Sequence, residues 1–343
     1  MKKLIFLTAA LFTTLSITSV NAQSHYKIAD KIKLEGDGGW DYVAVDENSN
    51  RLYVSHATVV QVIDLSTNKV IATIPDTKGV HGIAIASDLN KGFISDGKDS
   101  AVTIFDLKTN ATLAKVQVTG KNPDAILYDP STQRVFTFNG RSNNSTVIDA
   151  KTNAVIGTIA LPGRPEFAAA DGAGKVYFNL EDKGQVCRMD AKTMKVEDTL
   201  SLTPGDGPSG LAIDVKNRRL FSVCDNKMMV VIDIDKWKVV TTVPTGDRTD
   251  AVAFDTEKKI VYSSNGDGTL TAIKQESADK YTVIENVATQ KSARTCIVNS
   301  KTHHIYLPAA EFGPAPEATK ENPHPRPSIK PGTFVILDVI PVN

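Results

Sequence analysis

Short runs in which apolar and polar positions alternate recur along the chain, each closed by a cluster of Asp, Asn, Ser or Lys. Period-two alternation between turn residues is the mark of half-buried β-strands, and no segment sustains the 3.6-residue apolar period of a helix. The runs also return at a fixed interval. VIDLSTNKVIATI (62–74) comes back as TIFDLKTNATLAKV (103–116), VIDAKTNAVIGTI (147–159), CRMDAKTMKVEDTL (187–200) and VIDIDKWKVVTTV (231–243), more weakly as AIKQESADKYTVI (272–284), and cut short as VILDVIPVN (335–343). Taking the Asp, or Lys in the sixth copy, as marker gives positions 64, 106, 149, 190, 233, 274 and 338. Their spacings are 42, 43, 41, 43, 41 and 64 residues.

Upstream of the markers lies a second pattern of two β-rich runs about a polar turn, as in GIAIASDLNKGFIS (82–95), AILYDPSTQRVFTF (125–138), GLAIDVKNRRLFSV (210–223) and AVAFDTEKKIVYSS (251–264). One repeat therefore reads as four strands, a to d, with Asp-x-x-Thr turning c into d. Four strands per unit of this length is the blade of a β-propeller, whose closed ring covers every blade face. The fold class predicted is all-β, a seven-bladed β-propeller. The seventh copy stops at strand c, and YKIADKIKLEG (26–36) has the strand d pattern just before the first strand a, WDYVAVD (40–46). The N-terminal strand is thus expected to close blade seven, making residues 23–343 one domain.

The repeats resemble the YVTN-type β-propeller family. The resemblance rests on RLYVSH (51–56), KVYFNL (175–180), IVYSSN (260–265) and the repeated VID..TN.VI.TI, although no copy spells YVTN in full. It implies seven blades and an exported protein, and it leaves activity open because propellers carry many functions.

Export is also read from the first residues. Lys2-Lys3, an apolar run and Val20-Asn21-Ala22 have the form of a cleavable signal peptide over residues 1–22, so a periplasmic or secreted protein is expected. No later apolar stretch is long enough to span a bilayer. The remaining 321 residues carry 37 Lys+Arg against 39 Asp+Glu. With 6% aromatic residues and this balance, single-stranded nucleic acid is an unlikely partner, because it needs a basic groove with stacking platforms. Cys187, Cys224 and Cys296 are odd in number and widely spaced, which indicates no disulfide framework. A monomer is expected.

Chemistry should gather where the ring converges. In a propeller the d-to-a and b-to-c connections share the top face around the channel mouth. The entries to strand a place Asp41, His81, Asp124, Glu166, Ser209, Asp250 and Arg294 at equivalent positions, with Trp40 beside Asp41. Carboxylates packed in such a ring shift one another's pKa unless a cation or ligand intervenes. They can equally hold strand-end amides and channel water. His56, His81 and His324 also fall on the top face and are the candidate metal ligands, although none has short metal-motif spacing. No cofactor is required by the sequence, and a bound metal ion is compatible with it.

Two functional readings follow. In the first, the protein is an exported binding or scaffold protein holding a small molecule, cation or protein partner at the top of the channel. In the second, it is an enzyme of lactonase or isomerase type, with His81 as acid or base, Arg294 stabilising an oxyanion and Glu166 orienting. In that scheme the three residues face one another across the channel.

The Asp-x-x-Thr turns read as structural, because Asp and Thr side chains capture turn amides. Finally, residues 308–332 hold seven of the sixteen prolines and account for the long last interval. They form a b-to-c insertion in blade seven, spanning 309–331, on the top face. It reads either as a candidate lid over the mouth or as a disordered surface loop.

Overall fold

The computed structural model describes residues 24–319, 325 and 327–342. The signal peptide expected at 1–22 and the candidate ligand His324 lie outside the described residues. Seven four-stranded antiparallel sheets are present, each ordered a-b-c-d. Helical structure among the described residues is confined to two 3₁₀ turns, Ser87–Leu89 and Glu181–Lys183. No helix among them is long and apolar enough to cross a membrane.

The innermost strands are Trp40–Asp46, Val80–Ala86, Pro123–Asp129, Pro165–Ala170, Pro208–Asp214, Thr249–Asp255 and the two-residue Ile297–Val298. Each lies beside the next, and that of blade seven returns to that of blade one. Their close approach requires small residues. A Cβ added at Gly210 would stand 2.7 Å from the Ala251 Cα, and one at Gly82 would stand 3.1 Å from the Asp124 carbonyl oxygen.

Closure takes the expected form. Tyr26–Lys33 runs antiparallel to Val335–Pro341, with Lys33 opposite Val335 and Tyr26 opposite Pro341. Tyr26 and Ile32 of this strand, and Leu34 just beyond it, are buried against blades six, seven and one. At roughly 1.5–3 kcal/mol for a fully buried large apolar side chain, these three contacts explain why the last blade is built from both chain ends. The core is a series of apolar layers between neighbouring blades. Phe138 of blade three packs on Phe178 of blade four, for example, with ring centroids 5.3 Å apart.

The Asp-x-x-Thr turns are structural, and their geometry explains the following Asn. Asp106 Oδ1 accepts from the Lys108 and Thr109 amides and from Thr109 Oγ1, and Asp149 repeats the pattern with Lys151 and Thr152. The next residue, Asn68, Asn110 or Asn153, has φ of 55–64°. That left-handed conformation is costly for most side chains and mild for Asn. The sixth copy departs from the expected turn position. Lys274 lies inside the longer strand Thr269–Ser277, and the chain turns instead at residues 278–279. Strand b of blade seven starts at Ile305, which leaves His303 and His304 in the a-to-b turn. There they bond Asp255 and Asp338. All three cysteines are buried and free.

The proline-rich insertion is ordered where it leaves the blade. Phe312 pairs with Ile329 in an antiparallel bridge, the Gly313 amide donates to the Ser328 carbonyl at 2.8 Å, and the Lys330 amide donates to the Glu311 carbonyl at 2.8 Å. This two-stranded stem stands against blade one, where Phe312 meets the Trp40 ring at 6.1 Å.

Candidate functional site at the channel mouth

A repeated irregularity aims the polar ring. At the entry of each strand a in blades one to five, the register against strand b slips, between Trp40 and Val43, Val80 and Ile83, Pro123 and Ile126, Pro165 and Ala168, and Pro208 and Leu211. Such bulges re-aim side chains. The residues inside the slips include Asp41, His81, Asp124, Glu166 and Ser209. Hydroxyls from neighbouring strands pin the same backbone. Ser95 Oγ donates to the Asp124 carbonyl at 2.5 Å, Thr295 Oγ1 donates to the Asp41 carbonyl at 2.7 Å, and Ser55 Oγ accepts the Asp41 amide at 2.9 Å.

Asp41 is the hub. Its Oδ2 lies 2.6 Å from His81 Nδ1, and its Oδ1 is 3.4 Å from Arg294 Nη2. His81 Nδ1 also faces Asp124 Oδ1 at 3.5 Å, and Arg294 forms a second ion pair with Asp250. Ligating atoms of Asp41, His81 and Asp124 can all lie within 4.8 Å of one another. The side chains of Asp41 and His81 are 16% and 25% exposed, so solvent reaches the cluster.

Burial disfavours a charged His81 ring, but the hydrogen bond that His81 donates to Asp41 and the fields of Asp124 and Asp41 outweigh it and raise its pKa. Burial, with the Asp41 charge second, also raises the pKa of Asp124. Glu166 is displaced furthest. Burial, a hydrogen bond shared with Glu181, and the charges of Asp124 and Glu181 push it to about 9, so it keeps its proton at neutral pH. Glu181 is itself ion-paired to Arg164.

Two aromatic rings meet next to the cluster. Tyr42 of blade one and Phe167 of blade four meet edge to face, with ring centroids 5.1 Å apart. These residues directly follow Asp41 and Glu166, within the same register slips.

The structure brings Asp41, His81, Asp124, Asp250 and Arg294 together and places the other expected residues elsewhere. His81 and Arg294 do not face each other across the channel. They flank Asp41, because blades seven and two are the two neighbours of blade one. Glu166 stands apart from them, paired with Glu181. His56 is not near His81: its Nδ1 lies 3.0 Å from Gln61 Oε1, its ring packs on Phe334 at 4.3 Å, and burial lowers its pKa. Trp40 is 8% exposed and stacks on Phe334 at 5.2 Å, away from the axis. Ser209 donates to the Thr249 carbonyl and serves as an inter-blade tie. Residues not singled out from sequence are Tyr42, Phe167, Glu181 and Asn122, whose amide lies 3.5 Å from Asp124 Oδ2. Adjacency to the ring positions could have found Tyr42 and Phe167. Glu181 reaches the site from a 3₁₀ turn outside the repeat pattern.

No family model matches the chain. A stretch of 221 residues, 60% of the chain, is 27% identical to Antigen Lp49 of Leptospira interrogans and covers 48% of it, so the chain spans about half the length of this relative. Among solved structures, Kuenenia stuttgartiensis hydrazine synthase superposes with a TM-score of 0.70 at 15% identity, over 80% of this chain and 94% of that one. U3-55K gives 0.76 at 10% identity, over 91% and 98%. The RRP9 WD40 repeats give 0.74 at 10% identity, over 90% and 97%. At such identities the likeness concerns the fold alone, in agreement with the seven sheets described above.

Proposed function

We propose that the protein is a binding protein of the exported compartment, akin to the YVTN-type propellers its repeats resemble, and that its channel mouth holds a cation. The observation that carries the reading is the convergence of Asp41, His81 and Asp124, whose ligating atoms can come within 4.8 Å of one another. Two carboxylates with one imidazole suit a divalent first-row transition ion better than calcium or magnesium, which favour all-oxygen shells. Proton and metal compete for this site. His81 must lose its proton to ligate, so affinity should rise with pH as its raised pKa is passed.

The same geometry weighs against a lactonase or isomerase. His81 and Arg294 are both engaged with Asp41, and Glu166 lies with Glu181. Calorimetric titration with Zn²⁺ and Mn²⁺ at pH 6 and pH 8 tests the reading. Saturable binding that strengthens at pH 8 and is lost in Asp124→Asn is expected. An unchanged isotherm in that variant would assign any bound metal to another place.

A further inference from the structure

Beside the mouth lies a second concavity of different chemistry, a groove of about 870 Å³ between blades six, seven and one and the stem of the proline-rich insertion. Four cations line it: Arg248, Lys291, Arg294 and Lys330, against one carboxylate, Glu311. Glu311 is paired with Lys330 at 3.1 Å. The acids that hold Arg294, Asp41 and Asp250, do not line the groove. Arg248 donates to the Gly266 carbonyl at 3.3 Å, and among the described residues Lys291 makes no ion pair. Trp40 and Gln290 also belong to the lining, and each carries a donor without an acceptor: Trp40 Nε1 and Gln290 Nε2 are buried with no hydrogen-bond partner among the described residues.

The rest of the lining is apolar and partly aromatic. Trp40 forms one side on its stack with Phe334, and Phe312 of the stem packs beside it with ring centroids 6.1 Å apart, 39% exposed although it is a large aromatic residue. A propeller needs neither the exposed ring nor the surplus cations to fold. Concave sites that combine an apolar body with a few convergent charges are the usual form of small-molecule sites.

We propose that this groove binds an organic anion, an oxyanion head group on a planar apolar body, with the head at Arg248 and Lys291 and the body against Trp40 and Phe312. The assignment is independent of the cation reading of the mouth, since neither Arg248, Lys291 nor Phe312 touches Asp41, His81 or Asp124. Arginine and lysine supply the donors an oxyanion requires. The aromatic pair removes the apolar body from water.

The test is calorimetric titration of the intact protein with 2-naphthoate, with the neutral 2-naphthalenemethanol, and with inorganic phosphate. Saturable naphthoate binding is expected, weakened by added salt, with the alcohol and phosphate each at least about tenfold weaker, the loss carried by a charge-assisted hydrogen bond. The double variant Arg248→Ala/Lys291→Ala and the single variant Phe312→Ala alter exposed side chains. Each should remain folded, with an unchanged melting curve, and lose about tenfold or more in naphthoate affinity. Equal binding of alcohol and naphthoate, phosphate binding as tightly as naphthoate, undiminished affinity in both variants, or no naphthoate binding at all would each overturn the proposal.

Discussion

Replacing Asp41 with Asn removes the charge at the centre of the mouth while keeping the side chain's shape. The backbone bonds to Ser55 and Thr295 use main-chain atoms and should survive. What is lost is the charge-assisted bond to His81 at 2.6 Å and the weaker contact to Arg294, which keeps Asp250. A hydrogen bond to a charged partner contributes about 1.5–3 kcal/mol. Part is returned, because Asp41 also repels Asp124. Both side chains are partly solvated, so a net loss of about 1–2 kcal/mol is expected, or roughly 2–4 °C in melting temperature for a large domain.

The sign depends on pH. A histidine whose folded pKa is raised contributes stability that is fully present below its unfolded value, about 6.5, and lost as pH rises through the folded value. Thermal melts at pH 6 should therefore separate wild type from Asp41→Asn by the full amount, and melts at pH 9 by much less. NMR titration of the imidazole Cε1–H should show His81 above the ordinary value in wild type and lowered in the variant. An equal melting shift at both pH values, or a wild-type His81 titrating at the ordinary value, would refute the reasoning.

Glu166→Gln follows the same linkage sign, wild type losing stability relative to the variant as pH rises, but here the difference widens with pH instead of narrowing. The folded protein keeps the Glu166 proton to about 9 whereas the unfolded chain releases it near 4.5, so wild-type stability falls with rising pH in between by up to about 1.4 kcal/mol per unit. Gln does not titrate, and its advantage in urea denaturation should be smallest at pH 5 and grow toward pH 9. Gly210→Ala would press a methyl group against the Ala251 backbone, and a loss of about 1–3 kcal/mol is expected from the shift in denaturation midpoint. Asn110→Ala removes a residue suited to φ 59° and should cost about 1 kcal/mol by the same assay. Deleting residues 312–329 removes the stem and Phe312; the ring should still fold by circular dichroism, while naphthoate binding disappears.

Blade number, strand order and the closing N-terminal strand were legible in the sequence because a propeller repeats one local pattern. Each copy of VID..TN carries its own turn chemistry, down to the Asn that accepts a left-handed backbone. Candidate positions for a polar ring could be drawn from the sequence for the same reason, since equivalent positions in equivalent blades share one face, although Ser209 and Glu166 take other partners.

Which members touch was decided only by the closed ring. Asp41, His81 and Arg294 are adjacent because the last blade returns to the first, a contact between residues more than 250 positions apart. Glu181 reaches Glu166 from outside the repeat, and the pKa shifts of both His81 and Glu166 arise from burial and neighbouring charge that no single blade contains. His56 shows the limit of assignment by face: it ends a top-side strand, yet Gln61 and Phe334 hold it in the core. Local alternation and turn residues set the strands because they act within a few residues. The site, its electrostatics and the groove beside it depend on distances between blades, which exist only once the ring has closed.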